Sequence, residues 1–155
     1  MFDIFKKIFF AYKIMKVHSL HEKKAYEEGI EVLKSIGSSY DKIKCDFPEY
    51  YLLLGELLAE KNIIKESFDC FTRALNCILD ANTINEDEKR YLSLFASRWL
   101  TYLATQDKNL ELPDFGSNIS ARTDFNYYNV STSIKRYFPL LHSSGFEKGT
   151  KTPKK

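Results

Sequence analysis

The sequence predicts an all-α fold of antiparallel helix hairpins, and three observations support that class. Apolar residues recur three and four positions apart over most of the chain up to about residue 105, as on one face of a helix. The 155-residue chain holds only 6 Gly and 4 Pro, so long helices can run without interruption. Hydrophobic residues make up 44% of the chain, which is enough for one domain to bury a core without disulfides or metals.

The first predicted helix covers residues 2–17 and is amphipathic. Its apolar face consists of Ile4, Phe5, Ile8, Ala11, Tyr12 and Met15. Most amphipathic helices of globular proteins turn such a face toward the core, so we expect Phe5, Ile8 and Tyr12 to be largely buried. The alternative is a basic helix that lies on a membrane surface. Its contacts with the membrane would be made by Phe5, Lys6, Lys7, Phe9 and Lys13.

The middle of the chain is predicted to form helical hairpins over residues 20–105. The expected helices cover residues 20–36, 48–60, 63–80 and 86–105. Proline is favoured in the first turn of a helix, so Pro48 indicates where the third helix begins, after a polar loop over 38–47. Acidic residues at 86–88 favour the start of the fifth helix through the helix dipole.

The chain after Gln106 changes in character. Residues 106–142 hold many Asn, Ser and Asp, and they predict an irregular segment with one short helix over 131–142. We expect residues 124–141 to pack on the helical body through Phe125, Tyr137 and Phe138. The whole of 1–142 is then a single helical domain, followed by a disordered basic tail over 143–155.

One predicted hairpin, at about residues 48–80, carries a spaced set of large and small residues. The first helix holds Tyr51, Leu54, Gly55 and Leu58, and the second holds Ser67, Phe71 and Ala74. Gly55 and Ser67 are small where two helices would cross, so their backbones can approach closely. The spacing resembles a tetratricopeptide repeat. It departs from that pattern at Tyr51, where tryptophan is usual, at Leu58, where tyrosine is usual, at Ser67, where alanine is usual, and in lacking the closing proline.

The resemblance to the tetratricopeptide family implies a short right-handed solenoid whose first helices line a concave groove. In this hairpin the residues near the groove would be Tyr50, Leu53 and Glu56. The adjacent pair Tyr127 and Tyr128 adds candidate partner contacts, because at least one of two neighbours should point outward and Tyr is frequent at interface hot spots. The resemblance therefore implies a partner that is a peptide segment or a folded protein.

The charge and the cysteines restrict the function classes. The chain has 23 basic and 21 acidic residues, whereas a nucleic-acid-binding domain is usually far more basic, so no nucleic-acid partner is expected. The odd count of three cysteines and the lack of a Cys-x-x-Cys pair predict three reduced thiols in a cytoplasmic protein. On one helix, Cys70 and Cys77 are about 10 Å apart along the axis and too distant to bridge.

No residue pattern predicts a reaction. His18 and His21 lie three apart beside Glu22, but no third metal ligand follows, so we expect two exposed histidines and no metal, cofactor or catalytic residue. The sequence therefore predicts a non-catalytic module that binds a peptide or a folded protein. An immunity- or antitoxin-type protein would be one form of it, by analogy of class alone. The alternative is a peripheral membrane adaptor held by the first helix.

Overall fold

The computed structural model describes residues 2–113 and 125–140, and these residues form an all-helical domain without β-strands. Seven α-helices lie in the described part of the chain, and two short 3₁₀ turns cover Ser38–Tyr40 and Tyr127–Asn129. The helices are α1 (Phe2–Glu22), α2 (Tyr26–Lys34), α3 (Asp41–Asp46), α4 (Glu49–Glu60), α5 (Ile64–Asp80), α6 (Glu86–Gln106) and α7 (Thr132–Tyr137). The predicted all-α class is confirmed.

The boundaries of α5 and α6 follow from local backbone chemistry. Asn62 takes a positive φ of 61° in the turn between α4 and α5, a conformation that asparagine tolerates better than most residues. At the start of α6, the Asn85 side chain accepts from the Glu88 backbone N–H, and the Glu88 carboxylate accepts from the Asn85 N–H. This reciprocal pair satisfies two backbone donors that a helix start would otherwise leave unpaired.

The core forms around α4. Its residues 52–59 are all buried, because α1, α2 and α5 pack against it from different sides. The helix pair α4–α5 is joined by only residues 61–63, and α5 packs in turn along α6. The consecutive pairs α1–α2, α4–α5 and α5–α6 therefore pack side by side, while an arrangement as a solenoid remains a prediction.

The predicted crossing at Gly55 is confirmed. A Cβ atom placed on Gly55 would lie 2.8–2.9 Å from three atoms of the Phe71 ring, so only glycine allows this approach. The Ser67 hydroxyl donates a 2.6 Å hydrogen bond to the Gly55 carbonyl. The two small residues thus bring α4 and α5 together, as their spacing indicates.

The predicted loop over 38–47 is only partly irregular. A 3₁₀ turn and α3 occupy most of it, and Ile43 of α3 is buried in the core. A helix of six residues contains less than two turns, so its apolar spacing is too short to be recognised in the sequence. The first helix is also longer than predicted, because it continues to Glu22, and the second begins later, at Tyr26.

The prediction of three reduced thiols is wrong for two of them. Cys45 of α3 and Cys77 of α5 form a disulfide across 32 residues, with their Cα atoms 4.9 Å apart. Cys70 is free and buried. Disulfides are rare in reducing compartments, so the cysteines no longer support the predicted cytoplasmic location. None of the described helices is both long and apolar enough to cross a membrane.

The C-terminal segment packs on the helical body, as predicted. The buried residues that attach it are Val130, Ile134, Phe138 and Leu140. The Tyr91 hydroxyl of α6 donates to the Phe138 carbonyl at 2.8 Å and accepts from the Leu140 N–H at 3.1 Å. Phe125 and Tyr137 are half-buried against the core. The short helix is shorter than predicted, and the predicted tail over 143–155 lies outside the described residues.

Candidate functional site

The first helix turns the opposite face toward the core from the one expected. Phe10, Ile14 and Val17 are buried, whereas Phe5, Ile8 and Tyr12 are 61–65% exposed. The prediction that these last three are buried is therefore wrong. The reason is that α1 is apolar on two faces, so the spacing of its apolar residues does not decide which face packs.

Six large apolar side chains remain exposed along α1, and we call this surface the α1 face. Its members are Ile4, Phe5, Ile8, Phe9, Tyr12 and Met15, each 42–65% exposed. At 100° per residue these positions span an arc of about 140° around a helix about 30 Å long. Soluble monomers rarely expose a contiguous apolar surface of this kind without a use for it. Five of these six residues lie on the apolar face predicted from the sequence, which was expected to pack against the core.

Lysines border the α1 face. On a helical projection Lys7 lies beyond one edge and Lys13 beyond the other, while Lys16 lies within the arc just after Met15. The Lys13 ammonium lies 5.2 Å from the centre of the Phe9 ring, and the Lys6 ammonium donates to the Ser39 carbonyl at 3.1 Å. Between residues 4 and 21 the helix has no acidic residue. The α1 face is thus an apolar strip with a basic rim.

A cleft of about 400 Å³ lies beside the α1 face, and we call it the α1 cleft. One wall is α1, through Ile8 and Met15 among others, and the other wall includes Phe47 and Tyr137. Its lining is mostly apolar side chains. Glu49 also lines it, and burial, reinforced by the nearby Glu88 carboxylate, raises the pKa of the Glu49 carboxyl. The α1 cleft extends the apolar surface sideways from the helix.

The five predicted partner-binding residues fall into two groups. Tyr50, Leu53 and Glu56 are buried, at 4%, 0% and 5% exposure, and the Tyr50 hydroxyl donates to the Leu33 carbonyl at 2.9 Å. Tyr50 and Leu53 do not present their side chains at the surface, whereas Glu56 lines a cavity between α1 and α4. Tyr127 and Tyr128 are 52% and 91% exposed, which confirms that at least one points outward. Whether any of the five binds a partner remains a prediction.

The two histidines do not share one environment, and the expectation that both are exposed is wrong for His18. His18 is 3% exposed, and its ring stacks on Tyr137 with centroids 3.7 Å apart. Burial lowers the pKa of His18 to about 3, with help from His21 and Arg136. His21 is half-buried, 5.8 Å from the Tyr26 ring centre. No cluster of three or more metal-ligating side chains is found in the described ranges.

Comparisons with known proteins give no further assignment. No family model matches the chain, and neither the curated proteins nor the solved structures include a match. The resemblance of residues 48–80 to a tetratricopeptide repeat therefore remains a prediction.

Proposed function

We propose that the protein is a non-catalytic binding protein that docks on an anionic membrane surface through the α1 face. One observation carries the proposal: six large apolar side chains are 42–65% exposed on one face of one helix. Removing apolar area from water is favourable by about 25 cal/mol per Å². An interfacial helix gains that free energy by lying in the boundary between headgroups and acyl chains.

The basic rim supports an anionic surface as the occupant. Lys7, Lys13 and Lys16 flank the apolar strip, where their alkyl stems can lie along it while the ammonium groups reach the headgroups. Each lysine near an anionic leaflet contributes about 1 kcal/mol of attraction. Because no acidic residue lies between residues 4 and 21, nothing on the helix between those positions opposes that attraction.

A partner protein is the second candidate, favoured by the concave shape of the α1 cleft. The cleft lies between α1 and a wall that includes Phe47 and Tyr137. The apolar face of an amphipathic helix binds into such a groove more readily than onto a flat surface. This candidate keeps the sequence-based hypothesis of a helical module that binds another protein, in an immunity- or antitoxin-type role or another. The proposed binding surface is then the α1 face and the α1 cleft, and not the predicted groove at Tyr50, Leu53 and Glu56.

Co-sedimentation with lipid vesicles tests the membrane proposal. The wild-type protein should pellet with vesicles that contain phosphatidylserine and much less with pure phosphatidylcholine. The I8E/Y12E variant places two charges on the α1 face and should lose at least tenfold in vesicle affinity. The matched control N82E/N109E makes the same charge change at two exposed positions outside α1 and should pellet like wild type.

Two outcomes would reject membrane docking. One is a wild-type protein that stays in the supernatant with both vesicle compositions. The other is an I8E/Y12E variant that pellets as well as the control. The wild type could instead fail to pellet with vesicles but bind an acidic amphipathic helical peptide. If the I8E/Y12E variant then loses that peptide binding, a partner protein replaces the membrane as the proposed ligand of the α1 face.

A further inference from the structure

A second cavity, of about 330 Å³ and lined mostly by ionisable side chains, lies near the C-terminal end of α1. Its walls come from α1, α4, the turn before α2 and residues 136–139, and we call it the polar cavity. Two of the side chains that line it are more than nine-tenths buried, namely Glu56 at 5% and His18 at 3% exposure. Each has a buried polar atom without a hydrogen-bond partner, Oε1 of Glu56 and Nε2 of His18.

Two such atoms at one cavity are unusual in a folded protein. Most buried polar side-chain atoms have a partner, and an unsatisfied one costs about 1–3 kcal/mol. Burial raises the pKa of the Glu56 carboxyl well above its usual range, and a bound cation would lower that pKa again by favouring the charged form. A ligand that satisfied both atoms would remove both penalties at once.

The charges around the polar cavity decide which ligand fits. Glu22 and Arg136 form an ion pair at 3.6 Å, so these two charges balance each other, and the other Lys, Arg, Asp or Glu side chains of the lining are Lys24, Glu56 and Glu60. Glu60 lies one helical turn after Glu56 on α4 and also lines the cavity. A buried carboxyl that lacks a donor favours a cation over an anion, and a charge-assisted hydrogen bond is about twice as strong as a neutral one.

The unpartnered atoms and the aromatic side chains favour an organic cation over a metal ion. An ammonium group has three N–H donors, enough to supply one to Oε1 of Glu56 and one to Nε2 of a neutral His18. The Tyr26 ring lines the same cavity, and aromatic faces attract ammonium groups. The Tyr137 ring also lines it, but His18 stacks on that ring and the Arg136 guanidinium lies 5.2 Å from its centre. The described residues contain no cluster of three side chains that would hold a metal ion instead.

We propose that the polar cavity binds an organic cation that carries a primary ammonium group, with Glu56 as its counter-ion. A volume of about 330 Å³ suits a short-chain amine or the end of a side chain. The group can come from a free amine or from a lysine of a partner. The inference does not depend on the α1 face, whose residues Ile4 to Met15 lie outside this cavity.

Ligand-observed NMR tests the proposal with three small probes at matched ionic strength. n-Butylammonium represents a free amine, Nα-acetyl-lysine methylamide represents a partner's side chain, and sodium butyrate is the anionic counterpart. We expect saturable binding of at least one cationic probe and none of butyrate. The tighter of the two cationic probes identifies the source of the group.

Variants show whether binding occurs in the polar cavity. E56Q keeps the shape of the side chain and removes its charge, so it should lower the affinity for the cationic probe at least tenfold. E31Q, the same change at an exposed position of α2, should bind like wild type. Y26L removes an aromatic wall and should weaken binding several-fold, which provides a second test if E56Q does not fold.

The proposal is overturned by any of three results. The first is that neither cationic probe shows saturable binding. The second is that butyrate binds as tightly as the cationic probes. The third is that a folded E56Q variant binds the cationic probe with wild-type affinity.

Discussion

At the scale of single residues, Gly55 and Phe71 set the distance between α4 and α5. The Phe71 ring lies where a side chain on Gly55 would begin, and the ring also stacks on Trp99 of α6 at 5.4 Å. A close-packed ring of this kind has no free space into which it can move. One glycine therefore positions three consecutive helices relative to one another.

Replacing Gly55 with leucine should overpack this crossing. We expect G55L to lower the free energy of unfolding by about 1–3 kcal/mol, measured by urea denaturation. G37L is the matched control, because a Cβ atom on Gly37 meets nothing within 4 Å, and it should stay within about 0.5 kcal/mol of wild type. If both variants unfold at the wild-type urea concentration, Gly55 does not lie at a tight crossing.

His18 should make the stability depend on pH. Its pKa is 6.5 when unfolded and about 3 when folded, so across that window the unfolded chain binds more protons. The contribution of His18 to the free energy of unfolding is therefore fully present above pH 6.5 and is lost as the pH falls toward 3. The raised pKa of Glu56 has the opposite effect, because it lowers the free energy of unfolding as the pH rises above 4.5. The pH dependence of the wild-type protein therefore contains both effects and does not report on His18 alone.

Comparison of wild type with H18N isolates the histidine, because both proteins share Glu56. The difference between their free energies of unfolding should rise by up to about 1.4 kcal/mol per pH unit between pH 5 and 6.5. Urea denaturation at several pH values measures it. A difference that stays constant over this window would mean that folding does not shift the pKa of His18.

At the scale of elements, α1 shows where sequence reasoning reaches its limit. Its helical spacing predicts a helix, but apolar residues occupy the face with Ile8 and Tyr12 as well as the face with Phe10 and Ile14. Periodicity gives the type of an element, whereas the choice between two apolar faces depends on which one fits α2 and α4. That information lies in the tertiary packing and not in the segment.

The disulfide shows a second limit, since cysteine pairing cannot be deduced from one sequence. Cys45 and Cys77 meet only because α3 packs on α5, and α3 is too short to be recognised from its spacing. The resemblance to a tetratricopeptide repeat did locate the Gly55–Phe71 contact, because small residues at a crossing are a local signal. It placed Tyr50, Leu53 and Glu56 at a groove, and in the structure they are buried.

The Cys45–Cys77 bridge should stabilise the fold by closing a long loop. For a separation of 32 residues, reduction should cost about 2–4 kcal/mol of unfolding free energy. Denaturation with and without dithiothreitol measures this cost. A C45A variant lacks the bridge and should not respond to the reductant, and equal responses of wild type and C45A would show that the bridge does not form.

At the scale of the whole molecule, the segment over 125–140 closes one side of the helical body. Phe138 is fully buried and packs edge-on against Phe95 and His18. Backbone donors of the segment also reach α6, since the Asn126 N–H donates to Asp87 at 2.9 Å and the Ser131 N–H to Glu88 at 2.8 Å. The aromatic residues made this packing predictable from the sequence.

Truncating one anchor tests how much the segment contributes. F138A should cost about 3–5 kcal/mol, as removal of a buried phenylalanine side chain usually does. Y128A removes an aromatic residue that is 91% exposed and should change stability by less than about 0.5 kcal/mol. Thermal and urea denaturation measure both variants, and an F138A variant as stable as Y128A would contradict the packed position of the segment.

The central claim is that α1 presents its apolar face to a membrane, and the most direct measurement places a fluorophore on that face. Tyr12 is 65% exposed, so Y12W adds an indole there, while the native Trp99 is 2% exposed and gives a constant background in wild type. On anionic vesicles, the Y12W emission should shift to the blue, and brominated lipids should quench it beyond the wild-type level. An emission that stays at the wavelength of a water-exposed indole and is not quenched would contradict the claim.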